Sequence, residues 1–336
     1  MTAAAPRRAV SIALATYNGE KFLREQLDSF LAQTRLPDEL VVGDDNSQDG
    51  TIALLEEFAA RAPFPVRVQV NRPGLGPAAN FATTIVRCTG DVIFLSDQDD
   101  IWRPDKLATM LAFLADRPQC LVAVHDAALV DGSARPLGMT MGEQIEAAGG
   151  IAAEGLVAGC CMAIDRRLAR FYDPIPATDT HDGWLTSIAD TFGLRCYLPQ
   201  PLIAYRRHGA NVSQSYMSDE RRASRWRRIC ERLRRASAVR AGAALSLSVA
   251  AQDSALAAIT AHQAVLAEVV PAQRLAAGIA VRRQARLRDK RRLAIHRAAP
   301  TARPGLILRG LSGGDYRGGN GLLSLIRDIV DAVRGS

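Results

Sequence analysis

The chain has 336 residues, 48% of them hydrophobic and 23% charged, enough for one substantial core or two modest globular domains. Its net charge of +7 conceals a division: 23 Lys and Arg stand against 9 Asp and Glu from Tyr216 onward, and 19 against 26 before it. No segment reaches the roughly 20 apolar residues of a spanning helix, since Ala241 to Ala251 stops at Gln252 and Asp253.

The first two hundred residues alternate strand-like and helix-like patterns. Val10 to Ala15 is a short apolar strand ending at Thr16-Tyr17-Asn18-Gly19, and Phe22, Leu23, Leu27, Phe30 and Leu31 mark one face of a helix after it. Glu39 to Val42 is a second strand, ending at Gly43-Asp44-Asp45-Asn46-Ser47. Thr51 to Ala60 is helical, Val66 to Val70 is a third strand, and Asn80 to Arg87 lies in a helix introduced by residues 72–77. An acidic strand end, residues 92–102, follows, and Cys120 to His125 reads as another strand. Repeated βαβ units imply a doubly wound, mainly parallel α/β sheet. Beyond Gly132 the alternation weakens. Glu143 to Gly155 reads as loop or short helix, Val157 to Ile164 as strand, His181 to Phe192 as helix and Pro201 to Arg207 as strand. After Ser213 the pattern is helical. Asp219 to Arg235 places Trp226, Ile229, Cys230 and Leu233 on one face, and an Ala-rich helical run spans Arg240 to Val270. A basic block spans Arg282 to Arg297, and Gly/Pro-rich punctuation spans Ala302 to Gly321. A last amphipathic helix carries Leu322, Leu325, Ile326, Ile329, Val330 and Val333.

The chemistry concentrates at strand ends. Val92-Ile93-Phe94-Leu95-Ser96 runs into Asp97-Gln98-Asp99-Asp100, three carboxylates within four positions. Such groups repel one another unless a cation shares their charge, and hard oxygen ligands suit Mg2+ or Mn2+. The plainer reading is an acidic turn that caps the next helix, at Pro104-Asp105-Lys106-Leu107. Asp44 to Ser47 likewise read either as acceptors for a nucleobase or as an Asx turn and cap before Thr51. Gly155 to Cys161 is either a glycine loop beside a ligand or a close-packed strand.

These motifs carry a resemblance. Ala15-Thr16-Tyr17-Asn18-Gly19, then Gly43-Asp44-Asp45-Asn46-Ser47-Gln48-Asp49-Gly50-Thr51, then Ser96-Asp97-Gln98-Asp99-Asp100, resemble glycosyltransferase family 2. The downstream His181-Asp182-Gly183-Trp184 and Tyr205-Arg206-Arg207-His208-Gly209-Ala210-Asn211 are similar to its bacterial rhamnosyltransferase-like branch, which builds O-antigen and other surface polysaccharides. The resemblance implies a GT-A fold over residues 9–213, with a basic, mainly helical extension over 214–336. It implies an inverting enzyme with a divalent metal, Mg2+ or Mn2+. Carried over, Tyr17 and Asp45 contact the nucleobase and Asp97 the ribose, with Thr16, Asn18, Asn80 and Gln98 completing the nucleotide-sugar set. Asp99 and His208 hold the metal, Asp100 supports the loop, and Asp182 stands where the family places its base. One departure is Ala79-Asn80, where many relatives have Arg-Asn, so Arg72 or a residue near His208 is expected to serve the diphosphate.

The resemblance implies dTDP-rhamnose as donor, with a UDP-hexose next, and a saccharide or lipid-linked saccharide as acceptor. A nucleotidyltransferase is disfavoured because residues 16–20 are not a Gly-rich, basic loop. A non-catalytic assembly partner is disfavoured because Asp97, Asp99, Asp182 and His208 are all present. The six cysteines form no Cys-x-x-Cys pair, which suggests reduced, buried thiols in a cytoplasmic protein. Residues 1–15 carry no signal-peptide pattern. The basic tail is expected either to pack on the catalytic domain or to lie on the anionic inner face of the membrane. No nucleic-acid fold is recognisable, so nucleic acid is not an expected partner.

Overall fold

The computed structural model describes residues 7–172, 175, 180–209, 238–316 and 321–334. The chain divides into two compact units, Met1–Asp219 and Glu220–Ser336. The helix expected over Asp219 to Arg235 and the domain boundary expected after Ser213 lie outside the described residues.

In the first unit the early elements follow the expected alternation: β1 (Val10–Thr16), α1 (Glu20–Leu31), β2 (Glu39–Asp44), α2 (Thr51–Arg61), β3 (Val66–Val70), α3 (Pro77–Val86) and β4 (Val92–Ser96). Then come β5 (Ile101–Trp102), α4 (Lys106–Ala115), β6 (Val122–Asp131), β7 (Pro136–Thr140), α5 (Met141–Ala147), α6 (Ala152–Gly155), β8 (Met162–Asp165), α7 (His181–Phe192) and β9 (Arg195–Arg207). The sheet order is β3-β2-β1-β4-β8-β6-β9-β5, with β7 paired to β6.

The block β3-β2-β1-β4 is parallel throughout. Its inner strands are apolar runs rather than alternating patterns: Ile12 to Leu14, Leu40 to Val42 and Val92 to Leu95 are all fully buried. Strands covered by helices on both faces have that signature. Register levels the carboxyl ends, since Thr16 pairs with Asp44 and Leu14 with Ser96. The loops leaving β1, β2 and β4 therefore open onto one crevice.

The far half is mixed. β8 runs antiparallel between β4 and β6, and β9 lies parallel to β6. The two-residue β5 decides the site. It pairs Ile101 with Ala204 and Trp102 with Ile203, which draws the end of β9 alongside the acidic loop after β4. One expectation is corrected here. Extended structure begins at Met162 rather than Val157, because Gly159–Cys161 close a 3-10 turn.

The second unit is helical: α8 (Ala238–Ala261), α9 (Gln263–Ala267), α10 (Ala272–Arg297), α11 (Arg303–Ser312) and α12 (Gly321–Arg334). Two more expectations change. The Gly/Pro stretch after Ala302 contains α11, where Pro304 falls in the first turn and its missing N–H costs nothing. The apolar run does not stop at Gln252 and Asp253. The helix continues, and residues Gly242–Ala261 are long and apolar enough, by length and composition, to cross a membrane. Both polar residues face partners on α10: Arg282 donates to Gln252 at 3.1 Å, and Arg286 bonds Asp253. Ser248 likewise donates to Asp289 at 2.7 Å. The basic block is thus partly internal. Asp328 of α12, fully buried, accepts from Arg292 at 2.9 and 3.0 Å and from Tyr316 at 2.8 Å, with His296 at 3.2 Å.

Candidate active site

The first wall of the crevice is built from the ends of β1 and β2. Asp44, fully buried, accepts from the Thr16 hydroxyl at 2.7 Å and from the backbone N–H of Ser47 at 2.8 Å, with the Ser47 hydroxyl also bonded to it. Thr16 and Asp44 therefore join the two strand ends. Asn18 adds a second tie, donating its N–H to Ser47 and accepting from the Gln48 N–H. It does so at φ 45°, a left-handed conformation that asparagine tolerates better than most residues. The cap of α2 is Gly50, with no side-chain cap bond, and Asp49 just ahead of it accepts from the Thr51 N–H at 3.0 Å.

Gln98 binds Tyr17 through both ends of its amide. It accepts from the Tyr17 N–H at 2.8 Å and donates to the Tyr17 carbonyl at 3.0 Å. With its backbone clamped, Tyr17 is 58% exposed, open to a planar partner. The clamp also explains Gly19, where a Cβ would collide with Gln98 Oε1.

Two expected ligand groups turn inward. Asn80 is buried, donates to the Gly43 carbonyl at 2.8 Å and accepts from Asn71 at 2.9 Å. It brackets α3 onto β2, and Gly43 permits that approach because a Cβ there would collide with Thr84 Oγ1 and Asn80 Oδ1. Asp45 accepts from the N–H groups of Leu75 and Gly76 at 2.6 and 2.8 Å, so its carboxylate holds the loop ahead of α3. Arg72 lies exposed on that loop.

The second wall is acidic. Asp97, Asp99 and Asp100 follow β4, and Asp182 comes from the first turn of α7. The cap of α7 is Thr180, whose hydroxyl shares the Gly183 N–H with Asp182, so Asp182 stands inside the first turn rather than at the cap position. The Asp182 carboxylate accepts from the Gly159 N–H at 3.2 Å and the Gly183 N–H at 2.8 Å. Burial raises the Asp97 carboxyl well above the usual range, and Asp99, Asp100 and Asp182 add to the rise. Burial likewise raises Asp99, opposed by its bond to His208. Asp100 is pushed up to about 7 by burial and by Asp99.

His208 Nε2 lies 2.8 Å from Asp99 Oδ2, and both side chains are 14% exposed. Asp97, Asp100 and Cys160 each offer a ligand atom, all within 4.8 Å of one another. Asp100 Oδ1 accepts from the Arg206 N–H at 3.2 Å, which ties the acidic loop to β9. Its Oδ2 is buried and makes no hydrogen bond of ordinary geometry among the described residues. An orphaned carboxylate oxygen beside further carboxylates and an imidazole fits a hard divalent cation. The Cys160 thiol does not join that set. Its neighbour Cys161 and burial push it well above its ordinary range, which keeps it protonated and unreactive.

Two positive groups escaped the sequence reading as site residues. Arg206 is buried and donates to the carbonyls of Asp99 at 2.9 Å and Gly132 at 3.1 Å and to Glu25 at 2.8 Å. Its guanidinium stacks over Phe22, whose ring also lies against His208. It therefore braces the acidic loop from behind. Lys106 is fully buried, donates to the Cys160 carbonyl at 2.8 Å and lies 3.7 Å from the centre of the Trp102 ring. Burial lowers its ammonium to about 8. The available signal was position: a lysine four residues past a buried tryptophan on the helix that follows the acidic loop.

Residues 11–171 match Glycosyl transferase family 2. The chain is 31% identical over 225 residues to dTDP-rhamnosyl transferase RfbG of Shigella flexneri, covering 60% of this chain and 75% of that protein. It is 29% identical over 222 residues to an uncharacterized protein of Mycobacterium tuberculosis, and the match spans 63% of each. Among solved structures it is similar to S. aureus TarS 1-349 in complex with UDP-GlcNAc, with a TM-score of 0.56, 14% identity, and 96% and 89% of the two chains covered. The architecture is the GT-A fold, and the chain belongs to glycosyl transferase family 2.

Proposed function

We propose that the first unit, over residues 9–213, is a metal-dependent, inverting glycosyltransferase that moves L-rhamnose from dTDP-rhamnose to a saccharide acceptor in surface-polysaccharide synthesis. The observation that carries this reading is the convergence of Asp97, Asp99, Asp100 and Asp182 on one crevice, with His208 against Asp99. The similarity to a dTDP-rhamnosyl transferase supports the donor; a UDP-hexose is the next choice.

In this reading the exposed Tyr17 ring stacks on the nucleobase and Asp97 binds the ribose. Asp99 and His208, with Asp100 beside them, would hold Mg2+ or Mn2+, whose chemistry is to neutralise charge on the departing diphosphate. Asp182 takes the proton from the acceptor hydroxyl, on the face of the sugar opposite the leaving group. The N–H groups of Gly159 and Gly183 fix its carboxylate for that task. Thr16, Asn18, Asn80 and Gln98 act one step back, holding the strand ends and Tyr17 in place.

The second unit is proposed to meet the anionic inner face of the membrane, where lipid-linked acceptors reside. Leu308, Leu311, Leu322, Ile326 and Ile329 are exposed apolar residues on α11 and α12 in a strongly basic unit. The deciding experiment for the transferase reading is release of nucleoside diphosphate from a panel of sugar nucleotides, with and without Mn2+. Slow, metal-dependent hydrolysis of dTDP-rhamnose is expected; no release from any donor contradicts the reading.

A further inference from the structure

Lys106 is the least expected charge in the first unit. A lysine ammonium is a strongly hydrated point charge and is rarely taken wholly out of water without compensation. Here it is 0% exposed. The Trp102 ring face receives it on one side, and the Cys160 carbonyl accepts its hydrogen bond at 2.8 Å. The carboxylates that act on it stand beyond Cys160, whose thiol lies within 4.8 Å of ligand oxygens of Asp97 and Asp100; both act favourably on the ammonium, although burial still lowers it to about 8.

The three-residue turn Gly159–Cys161 is what lies between them. Its groups reach in three directions. The Gly159 N–H donates to Asp182 Oδ2 at 3.2 Å. The Cys160 thiol lies within 4.8 Å of ligand oxygens of Asp97 and Asp100. The Cys160 carbonyl accepts from Lys106. The turn packs closely on α7, since a Cβ at Gly159 would collide with His181 Nε2. One buried ammonium thus secures the element that lies beside Asp97 and Asp100 and bonds the candidate base.

We infer that Lys106 is a positioning residue for sugar transfer: it anchors the Gly159–Cys161 turn, and through it Asp182, while serving as the built-in counter-cation of Asp97 and Asp100. The inference rests on the transferase reading above. A lysine serving only to fill space would be replaceable by methionine without consequence for the crevice. A counter-cation is not, because its removal leaves the carboxylates with more unshared negative charge and raises their appetite for an external divalent ion. An anchor is not replaceable either, since small displacements of a base lower turnover steeply.

The test uses the full chain and two variants. Lys106→Met removes the charge and the donor, whereas Lys106→Gln removes the charge and keeps a donor. Each is compared with wild type by the Mn2+-induced rise in Tm and by the kcat and KM for nucleoside diphosphate release from the active donor. The expected result is a larger Mn2+-induced rise in Tm in both variants. The kcat is expected to fall about tenfold or more in Lys106→Met, less in Lys106→Gln, with the donor KM within about threefold of wild type. If Lys106→Met does not fold, Lys106→Gln alone decides the question through its Mn2+ response. A folded variant with both wild-type kcat and a wild-type Mn2+ response overturns the inference while leaving the transferase reading intact. A wild-type chain that releases nothing from any donor overturns the transferase reading itself, and this inference with it.

Discussion

His208 Nε2 and Asp99 Oδ2 meet at 2.8 Å, although 109 residues separate them along the chain. The contact exists because β5 pairs with β9 between the two residues. An imidazole and a carboxylate at this spacing, each still in partial contact with solvent, form the accessible part of the donor set. His208→Ala should weaken Mn2+ binding by about tenfold or more and lower turnover in parallel, with excess Mn2+ restoring part of the rate. Titration of the Mn2+ EPR signal measures the first effect and diphosphate release the second.

Asp182→Asn keeps a side-chain oxygen for the Gly159 N–H and removes the proton acceptor. Turnover should fall by about 100- to 10,000-fold, the range contributed by a positioned base. Binding of the nucleoside diphosphate, followed by calorimetry, should stay within about threefold of wild type. Near-normal turnover would remove Asp182 from the chemistry.

Tyr17 and Gln98 should separate binding from scaffolding. Tyr17→Ala removes only the exposed ring, and loss of one stacking partner is worth about 1–3 kcal/mol per base. Nucleoside diphosphate should bind about tenfold or more weaker, at unchanged Tm. Gln98→Ala should weaken binding and lower Tm together, because it frees the loop that carries the ring.

Proton and metal compete for the same oxygens. Asp100 is held at about 7 by burial and by Asp99, against an ordinary value near 4. Below pH 7 the folded protein keeps that carboxyl protonated, so Mn2+ must displace a proton to bind. Mn2+ affinity should therefore fall about tenfold for each pH unit below 7 and level off above it; Asp100→Asn should flatten the profile. Global stability is a poorer reporter. Burial lowers His125 and His181, so their contribution is present above the ordinary histidine range and is lost as pH falls. The raised carboxylates act in the opposite sense, losing stability as pH rises.

Co-sedimentation with vesicles tests the proposal for the second unit. The full chain should bind vesicles containing about 30% anionic lipid and release with added salt, as screening of basic residues requires. Equal binding to neutral vesicles would argue against it.

Much of this architecture was legible in the sequence because fully buried parallel strands are continuous apolar runs, and the motifs stand at their ends. What stayed hidden did so for physical reasons. Asn80 and Asp45 carry the right groups for a ligand, yet which way an amide or carboxylate turns depends on neighbours such as Asn71 and Leu75 that no spacing rule supplies. The two-residue β5 is too short to announce itself, so nothing along the chain foretold that Arg206 would brace the Asp99 carbonyl. Gly159–Cys161 read equally as glycine loop or strand because its residues are small and apolar; the turn is held by Lys106 and Asp182, which come from distant elements. Gln252 and Asp253 looked like the end of an apolar run only while their arginine partners on α10 were out of view.

The most direct measurement is a crystal structure of the full chain with Mn2+ and dTDP. The predicted result is an ion bound by Asp99 and His208, with the diphosphate on that ion and the base against Tyr17. An ion bound away from the acidic loop, or a nucleotide outside the crevice, would contradict it.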